Sequence, residues 1–202
     1  MSSILLDLGI IKNETASSAV FESLLDDKSF LDVEYNAPNE YVMTYWEALM
    51  NHPKHSTLAG NIFELIITTL LYRENLLPIY VQAQVAFVPN VRFDALLYNK
   101  EFGPISLSLK TSLRERYKQA DLEAIALKYV HRKAKCHLLT MHEQEAESVK
   151  AKIKSGDVIG LDSVVICSND DINNLIANLK TQTFEVAGSV EIITSHNMVV
   201  KG

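Results

Sequence analysis

The chain has 202 residues, 48% of them hydrophobic and 22% charged, which suits one domain with a real core and excludes a disordered polymer. A net charge of -6 excludes a surface coated in positive charge. Two cysteines far apart, Cys136 and Cys167, exclude a disulfide framework and any Cys-based metal spacing, and read as core thiols in a reducing cytoplasm.

Residues 1–57 read as a mostly helical accessory region packed on the core. Apolar stripes run from Ser17 to Leu25 and from Tyr41 to Met50, and His52-Pro53-Lys54-His55 breaks the pattern. No basic segment precedes an apolar run at the N-terminus, so no signal peptide is expected. Residues 58–202 form the main unit of what is still a single domain. A helix is expected from about Leu58 to Glu74, capped by Ser56 or Thr57 and ended by Asn75 and Pro78. Its greasiest part, Ile62 to Leu71, is too short to span a bilayer and carries Glu64.

Ile79 to Val88 alternates, with Ile79, Val81, Ala83, Val85 and Phe87 on one face. After the Pro89-Asn90 turn, Val91 to Tyr98 is a second strand. Val91, Phe93, Ala95 and Leu97 face one way, and Arg92, Asp94, Leu96 and Tyr98 the other. Ile105 to Lys110 is a third, with Ser106, Ser108 and Lys110 on its polar face. A helix from about Leu113 to His131 carries the apolar stripe Leu113, Tyr117, Ala120, Ala124 and Leu127. Strands at Cys136 to Thr140 and Val164 to Cys167 flank a helix from Glu143 to Lys154. A helix capped by Asp170 or Asp171 runs to Lys180, and β-rich runs at Phe184 to Val186 and Val190 to Thr194 close the chain. This order predicts an α/β fold with a mixed central sheet flanked by helices.

Between Lys110 and Lys135 eight Lys or Arg face three acids, a net +5 that leaves -11 for the rest of the chain. One basic stripe on an acidic body suits a protein that grips a polyanion along one face; a solvated helix face is the bland alternative.

Asp94 is a poor strand former that needs a reason for its place. A hairpin brings it to the sheet edge of Lys110. At about 100° per residue, Glu123 lies roughly 80° from the centre of its helix's apolar stripe, on the flank of Arg116, at the border of core and cleft. Asp121 lies on the opposite flank with Arg114 and reads as an ion-pair partner. Carboxylates of Asp94 and Glu123 suit Mg²⁺, Lys110 suits developing negative charge, and Glu64 is a further ligand or an orienting group behind the ligands. Each acid alone is more often a surface or paired carboxylate; the joint arrangement carries the reading. His52, His55, His131 and His137 show no metal-ligand spacing.

Ser108-Leu109-Lys110, Glu123 and Arg114-Glu115-Arg116 together resemble the PD-(D/E)XK nuclease superfamily over about residues 58–140. More narrowly, they look like type II restriction endonucleases of the EcoRII/NgoMIV-like, CCGG-reading branch. The resemblance implies a restriction-endonuclease-like αβββαβ core, Asp94 as the acid of the second strand, and Lys110 as the lysine of the third. It implies that Glu123 supplies the carboxylate missing at Ser108. It also implies that Arg114, Glu115 and Arg116 read a CC/GG site, since arginine suits guanine O6 and N7 and glutamate accepts from cytosine N4. Phe93 stands where the nominal motif has Pro. Trp46 is the candidate for stacking on a flipped base, against its more common use as core. Lys118, Arg132 and Lys133 are candidates for the DNA backbone. The expectation is a cytoplasmic, prokaryotic, Mg²⁺-dependent enzyme cutting a palindromic double-stranded site as a homodimer, with a companion DNA methyltransferase in its genome. The alternatives are a repair or junction-cleaving nuclease of the same superfamily, a non-catalytic DNA-binding protein on the same fold, and an acidic interaction protein.

Overall fold

A computed structural model describes residues 3–26, 28–187, 193–194 and 196–201. Helices α1 (Ile4–Asp7), α2 (Ala16–Ser23) and α3 (Pro38–Met50) precede α4 (His55–Arg73). Then come β1 (Ile79–Val85), β2 (Phe93–Asn99), β3 (Gly103–Leu109), α5 (Arg116–Val130), β4 (Lys135–Thr140), α6 (Glu143–Ser155), β5 (Ser163–Ile166) and α7 (Asp170–Lys180). The sheet order is β5-β4-β3-β2-β1. β1, β2 and β3 are antiparallel neighbours, while β3, β4 and β5 are parallel, joined through α5 and α6. Two short strands, β6 (Ile193–Thr194) and β7 (Asn197–Val199), both pair antiparallel with β1. The expected mixed sheet with flanking helices is therefore present.

Several boundaries move. α4 starts at His55 behind Lys54, with no side-chain cap, so neither Ser56 nor Thr57 caps it. α5 starts at Arg116, not Leu113. Asn169, not Asp170 or Asp171, caps α7, its side chain accepting from the Asp171 N–H. Phe184 to Val186 is not a strand and lies outside the sheet. Of the last expected strand, 190–192 lie outside the described residues and 193–194 form β6. Among the described residues no helix is long and apolar enough to cross a membrane.

The sheet has a core on each face. α5, α6 and Leu113 just before α5 cover one face, with Ala120, Ala124, Leu127, Ala146 and Val149 of the helices, against Leu96, Cys136, Leu138 and Val164. α4, α7 and the N-terminal helices cover the other. Phe21, Tyr41, Tyr45 and Leu49 share one buried cluster with Ile66 and Leu70 of α4 and Leu97, Ile105 and Leu107 of the sheet. Each such side chain contributes about 1.5–3 kcal/mol through burial. Arg73 ties the N-terminal segment down: its guanidinium donates to the carbonyls of Phe30 (2.6 Å) and Val33 (2.5 Å) and lies over the Tyr35 ring.

The expected alternation in β1 and β2 fails at one place. Ile79 and Val81 pack with the α4 core, but Ala83 and Val85 pack with the α5 core. Likewise Val91 and Phe93 face α5, whereas Ala95 and Leu97 face α4. The registered pairs are Val81 with Ala95 and Ala83 with Phe93, so the switch falls at Gln82 and Asp94 between them. Gln82 has φ 50°, a left-handed backbone that turns the strand over by one step and breaks a strict period of two. Phe87, expected on the buried face, instead lies in the hairpin loop at φ 65° and is 86% exposed.

Asp121, expected to be an ion-pair partner, forms no ion pair among the described residues and is instead a loop anchor. Its Oδ1 accepts the N–H groups of Gly160 (2.6 Å) and Leu161 (3.2 Å). That brings Gly160 so close to α5 that a Cβ there would lie 2.4 Å from the Asp121 carbonyl oxygen. Gly160→Ala is expected to cost roughly 1–3 kcal/mol of stability through backbone displacement, read as a lower urea midpoint at unchanged slope.

Candidate active site at the end of strands 2 and 3

β2 runs antiparallel to β3, so its first residues lie beside the last residues of β3. Asp94, the second residue of β2, thereby meets Lys110, the first residue after β3. The β2–β3 ladder ends at Ala95 and Leu107. Beyond it, the Asp94 carboxylate replaces a strand: its Oδ2 accepts the Leu109 N–H at 2.7 Å and the Lys110 ammonium at 2.9 Å. The Lys110 N–H meanwhile donates to the Leu139 carbonyl of β4 at 3.0 Å. Both side chains are nearly buried, 12% exposed for Asp94 and 14% for Lys110. The reason for an aspartate within this strand is thus visible: it pairs a freed backbone donor and a lysine together. Its Oδ1 accepts no hydrogen bond from the described residues.

Two more carboxylates come within electrostatic reach of this pair. Glu64, from α4, accepts the Gln82 side-chain amide at 2.9 Å. Burial, reinforced by the negative charge of Asp94, pushes its carboxyl up to about 7, against the opposing pull of Gln82 and Lys110. Glu123, from the second turn of α5, accepts the Gln119 side chain at 2.8 Å. Burial raises its carboxyl too, while Gln119 and Lys110 pull it down and Asp94 adds to the rise. Glu64, Asp94, Lys110 and Glu123 come from four separate elements, and each glutamate feels both the aspartate and the lysine. Among the described residues, however, no group of three or more His, Cys, Asp or Glu is drawn tightly enough together to cage a metal ion. Ser108 stands in register beside Leu138 and brings no carboxylate to the cluster.

The triplet lies directly beyond Lys110, but only Arg116 is helical. Glu115 occupies the N-cap and Arg114 the turn before it, so the expected helical angle of Arg114 opposite Arg116 does not arise. All three are exposed. Glu115 meets Lys118 at 2.5 Å, and Arg116 has no ion pair among the described residues. The segment is held by a residue the sequence does not single out. Glu145, in the first turn of α6, accepts the N–H of Leu113 (2.5 Å), the N–H of Arg114 (3.3 Å) and the hydroxyl of Ser112 (3.3 Å) through one oxygen. Its other oxygen lies 3.8 Å from the Arg114 guanidinium. The Leu113 N–H is the main cause of its lowered carboxyl pKa. Gln82 escapes sequence reasoning as well. Nothing local marks either residue, because both act on segments distant in sequence.

The basic stripe is not continuous. Lys128 and Lys135 both pair with Asp162. Arg132 and Lys133 lie beyond the far end of α5, roughly 20 Å from Lys118 at 1.5 Å per residue, so they are not gathered with the triplet. Trp46 is half-buried among the N-terminal helices, edge-on to Phe63 at 5.7 Å. His137 is buried against Ser163, which pushes its imidazole down to about 4.

No protein-family model matches the sequence, and no curated protein matches it. Among solved structures, the chain is similar to a complex of the restriction endonuclease PspGI with substrate DNA. The match has 17% sequence identity and a TM-score of 0.57 over 85% of this chain and 84% of that one. The fold is therefore that of a restriction endonuclease.

A raised carboxyl has a defined effect on stability. The unfolded chain releases the Glu64 proton more readily than the folded one, so the stability this group contributes is full below about pH 4.5 and is lost as the pH rises through 7. Glu64→Gln keeps an acceptor for Gln82 but carries no charge. It is expected to be more stable than the natural protein above pH 7 in cation-free buffer, by on the order of 1–2 kcal/mol, with the gap closing towards pH 4.5. A gap in Tm that is the same at every pH would contradict the burial of this charge.

Proposed function

We propose that the protein is a type II restriction endonuclease, a Mg²⁺-dependent enzyme that hydrolyses both strands of DNA at a short palindromic site containing CC and GG. The observation that carries this reading is one combination: Asp94 is paired with Lys110, Glu64 and Glu123 lie within electrostatic reach of both, and an exposed Arg-Glu-Arg triplet follows four residues after the lysine. The restriction-endonuclease fold supports it.

The donor set fits Mg²⁺. Its candidate ligands are carboxylate oxygens, which suit a hard cation that keeps several of its waters. Asp94 has one oxygen that accepts no hydrogen bond from the described residues, and burial, reinforced by the Asp94 charge, has raised the Glu64 carboxyl. A divalent cation would offset the repulsion between those two charges. In this reading Asp94 and Glu123 hold the ion, and Glu64 is a further ligand or steadies them from behind. When bound, Mg²⁺ would polarise the phosphodiester and make a coordinated water more acidic. Lys110, already fixed by Asp94 at 2.9 Å, brings its charge to the phosphate oxygens or orients the attacking water. Arg114 and Arg116 address guanines and Glu115 a cytosine, while Lys118 contacts the backbone. Arg132 and Lys133 belong to this reading only where duplex continues along α5. A palindrome and two strands to cut call for a homodimer, and a host genome calls for a companion methyltransferase.

The test is cleavage of plasmid DNA with and without Mg²⁺, followed by sequencing of the ends. Discrete Mg²⁺-dependent bands ending at one CC/GG site are expected. Smearing or structure-selective nicking would favour a repair or junction nuclease. Lys110→Ala is expected to lower the rate on the order of 10²-fold or more, as for loss of a transition-state donor, and Asp94→Ala to abolish cutting while DNA binding persists. Full activity in either variant would overturn the site assignment.

A further inference from the structure

Glu145 is placed to do more than stabilise a loop. It lies on α6, in a separate part of the sequence, yet its carboxylate gathers three donors from consecutive residues, Ser112, Leu113 and Arg114. Those residues occupy the short connection between Lys110 and Arg116, the only covalent path by which the lysine and the triplet could fix each other's position. Leu113 is buried under α5 and anchors the middle of that connection. The side chains of Arg114 and Glu115 are exposed, 85% and 81%; among the described residues Arg114 reaches only Glu145, while Glu115 is tied to Lys118 one turn on. Without Glu145, the N–H groups of Leu113 and Arg114 would be served by water and the connection would sample several conformations. Glu145 is itself set in place by the start of α6, where the His142 ring accepts the Glu145 N–H at 3.4 Å and lies 3.8 Å from its carboxylate.

We propose that Glu145 is a specificity-determining positioning residue, which locks the 112–114 segment so that Arg114, Glu115 and Arg116 meet the base edges of a DNA duplex in one register relative to Lys110. It touches neither the scissile phosphate nor a base in this reading. It acts through the loop, and its effect falls on discrimination between sites rather than on hydrolysis as such. Bidentate arginine contacts depend steeply on geometry, with each correct pair worth about 1–3 kcal/mol against a wrong base, so a loosened triplet loses discrimination first. The inference rests on the nuclease reading above.

The experiment compares the natural protein with Glu145→Ala and Glu145→Gln. Each is assayed for kcat/KM on an oligonucleotide duplex carrying the mapped site and on duplexes with one base pair changed in its CC or GG half. Melting temperature is measured alongside. The ratio of cognate to changed-site cleavage is expected to fall at least tenfold in Glu145→Ala. A smaller fall is expected in Glu145→Gln, which keeps an acceptor for the Leu113 N–H, and Tm is expected to shift little in either variant. An unchanged ratio overturns the inference while leaving the nuclease reading intact. So does an equal loss on both duplexes accompanied by a large drop in Tm, the mark of a structural role alone. Absence of any discrete cleavage by the natural protein removes the nuclease reading itself, and this inference with it.

Discussion

One oxygen atom organises this structure's working end. Oδ2 of Asp94 accepts a backbone N–H from Leu109 and the ammonium of Lys110, where the ladder between β2 and β3 has run out. The bond to Leu109 satisfies a donor that would otherwise be left unpaired near the core. The bond to Lys110 draws a long, flexible side chain into a fixed position. The two strands can therefore part here with that donor still satisfied. α4 brings Glu64, and α5 brings Glu123, within electrostatic reach of the Asp94–Lys110 pair. Each helix is held by its own apolar stripe against one face of the sheet, so the cluster is assembled from both cores at once.

The arrangement costs the fold something. Glu64 is half-buried beside a second carboxylate, and Gln82 reaches it from a left-handed backbone that non-glycine residues seldom adopt. Neither feature helps the chain fold. Both are compensated elsewhere, by the aromatic packing of Phe21, Tyr41 and Tyr45 and by Arg73 clamping the N-terminal segment to α4. Local strain and like-charge crowding confined to one edge of a well-packed sheet are where a working site is expected to depart from the rules that govern the rest.

Much of this is legible in the sequence, and the failures have physical causes. The stripe of α5 and the buried runs of β4 and β5 are readable because each is a simple period imposed by one dominant face. The meeting of Asp94 with Lys110 is readable because an aspartate within a strand and a lysine at the end of the next one need a reason, and the flank of Glu123 follows from the stripe of α5. The faces of β1 and β2 are misread because each strand changes face midway, β1 at the left-handed Gln82 and β2 at Asp94, and no composition signals either switch. The start of α5 is set too early because the stripe begins at Leu113, which is buried from a turn and not from a helix. Gln82 and Glu145 escape notice because their partners lie 18 and 32 residues away. The charge count between Lys110 and Lys135 suggests one basic face, but Asp162 takes Lys128 and Lys135 and the remaining cations divide between the two ends of a helix.

The connection between β3 and α5 has a consequence for how such a chain can change in length. Ala120, Ala124 and Leu127 fix the rotation of α5 against the sheet, so the helix keeps Glu123 near Lys110 and Asp94 whatever precedes it. A residue inserted between Lys110 and Arg116 would bulge outward and carry Arg114 and Glu115 with it, sparing the carboxylates. A residue inserted between Arg116 and Ala120 would instead turn the helix by about 100° on one side of the insertion: either Glu123 leaves the neighbourhood of Lys110 and Asp94, or Arg116 swings away from the residues before it. Insertions and deletions on the two sides of Arg116 therefore have separable effects. Under the nuclease reading proposed above, length changes before it act on the base-reading triplet alone, whereas those after it strike at the carboxylates as well.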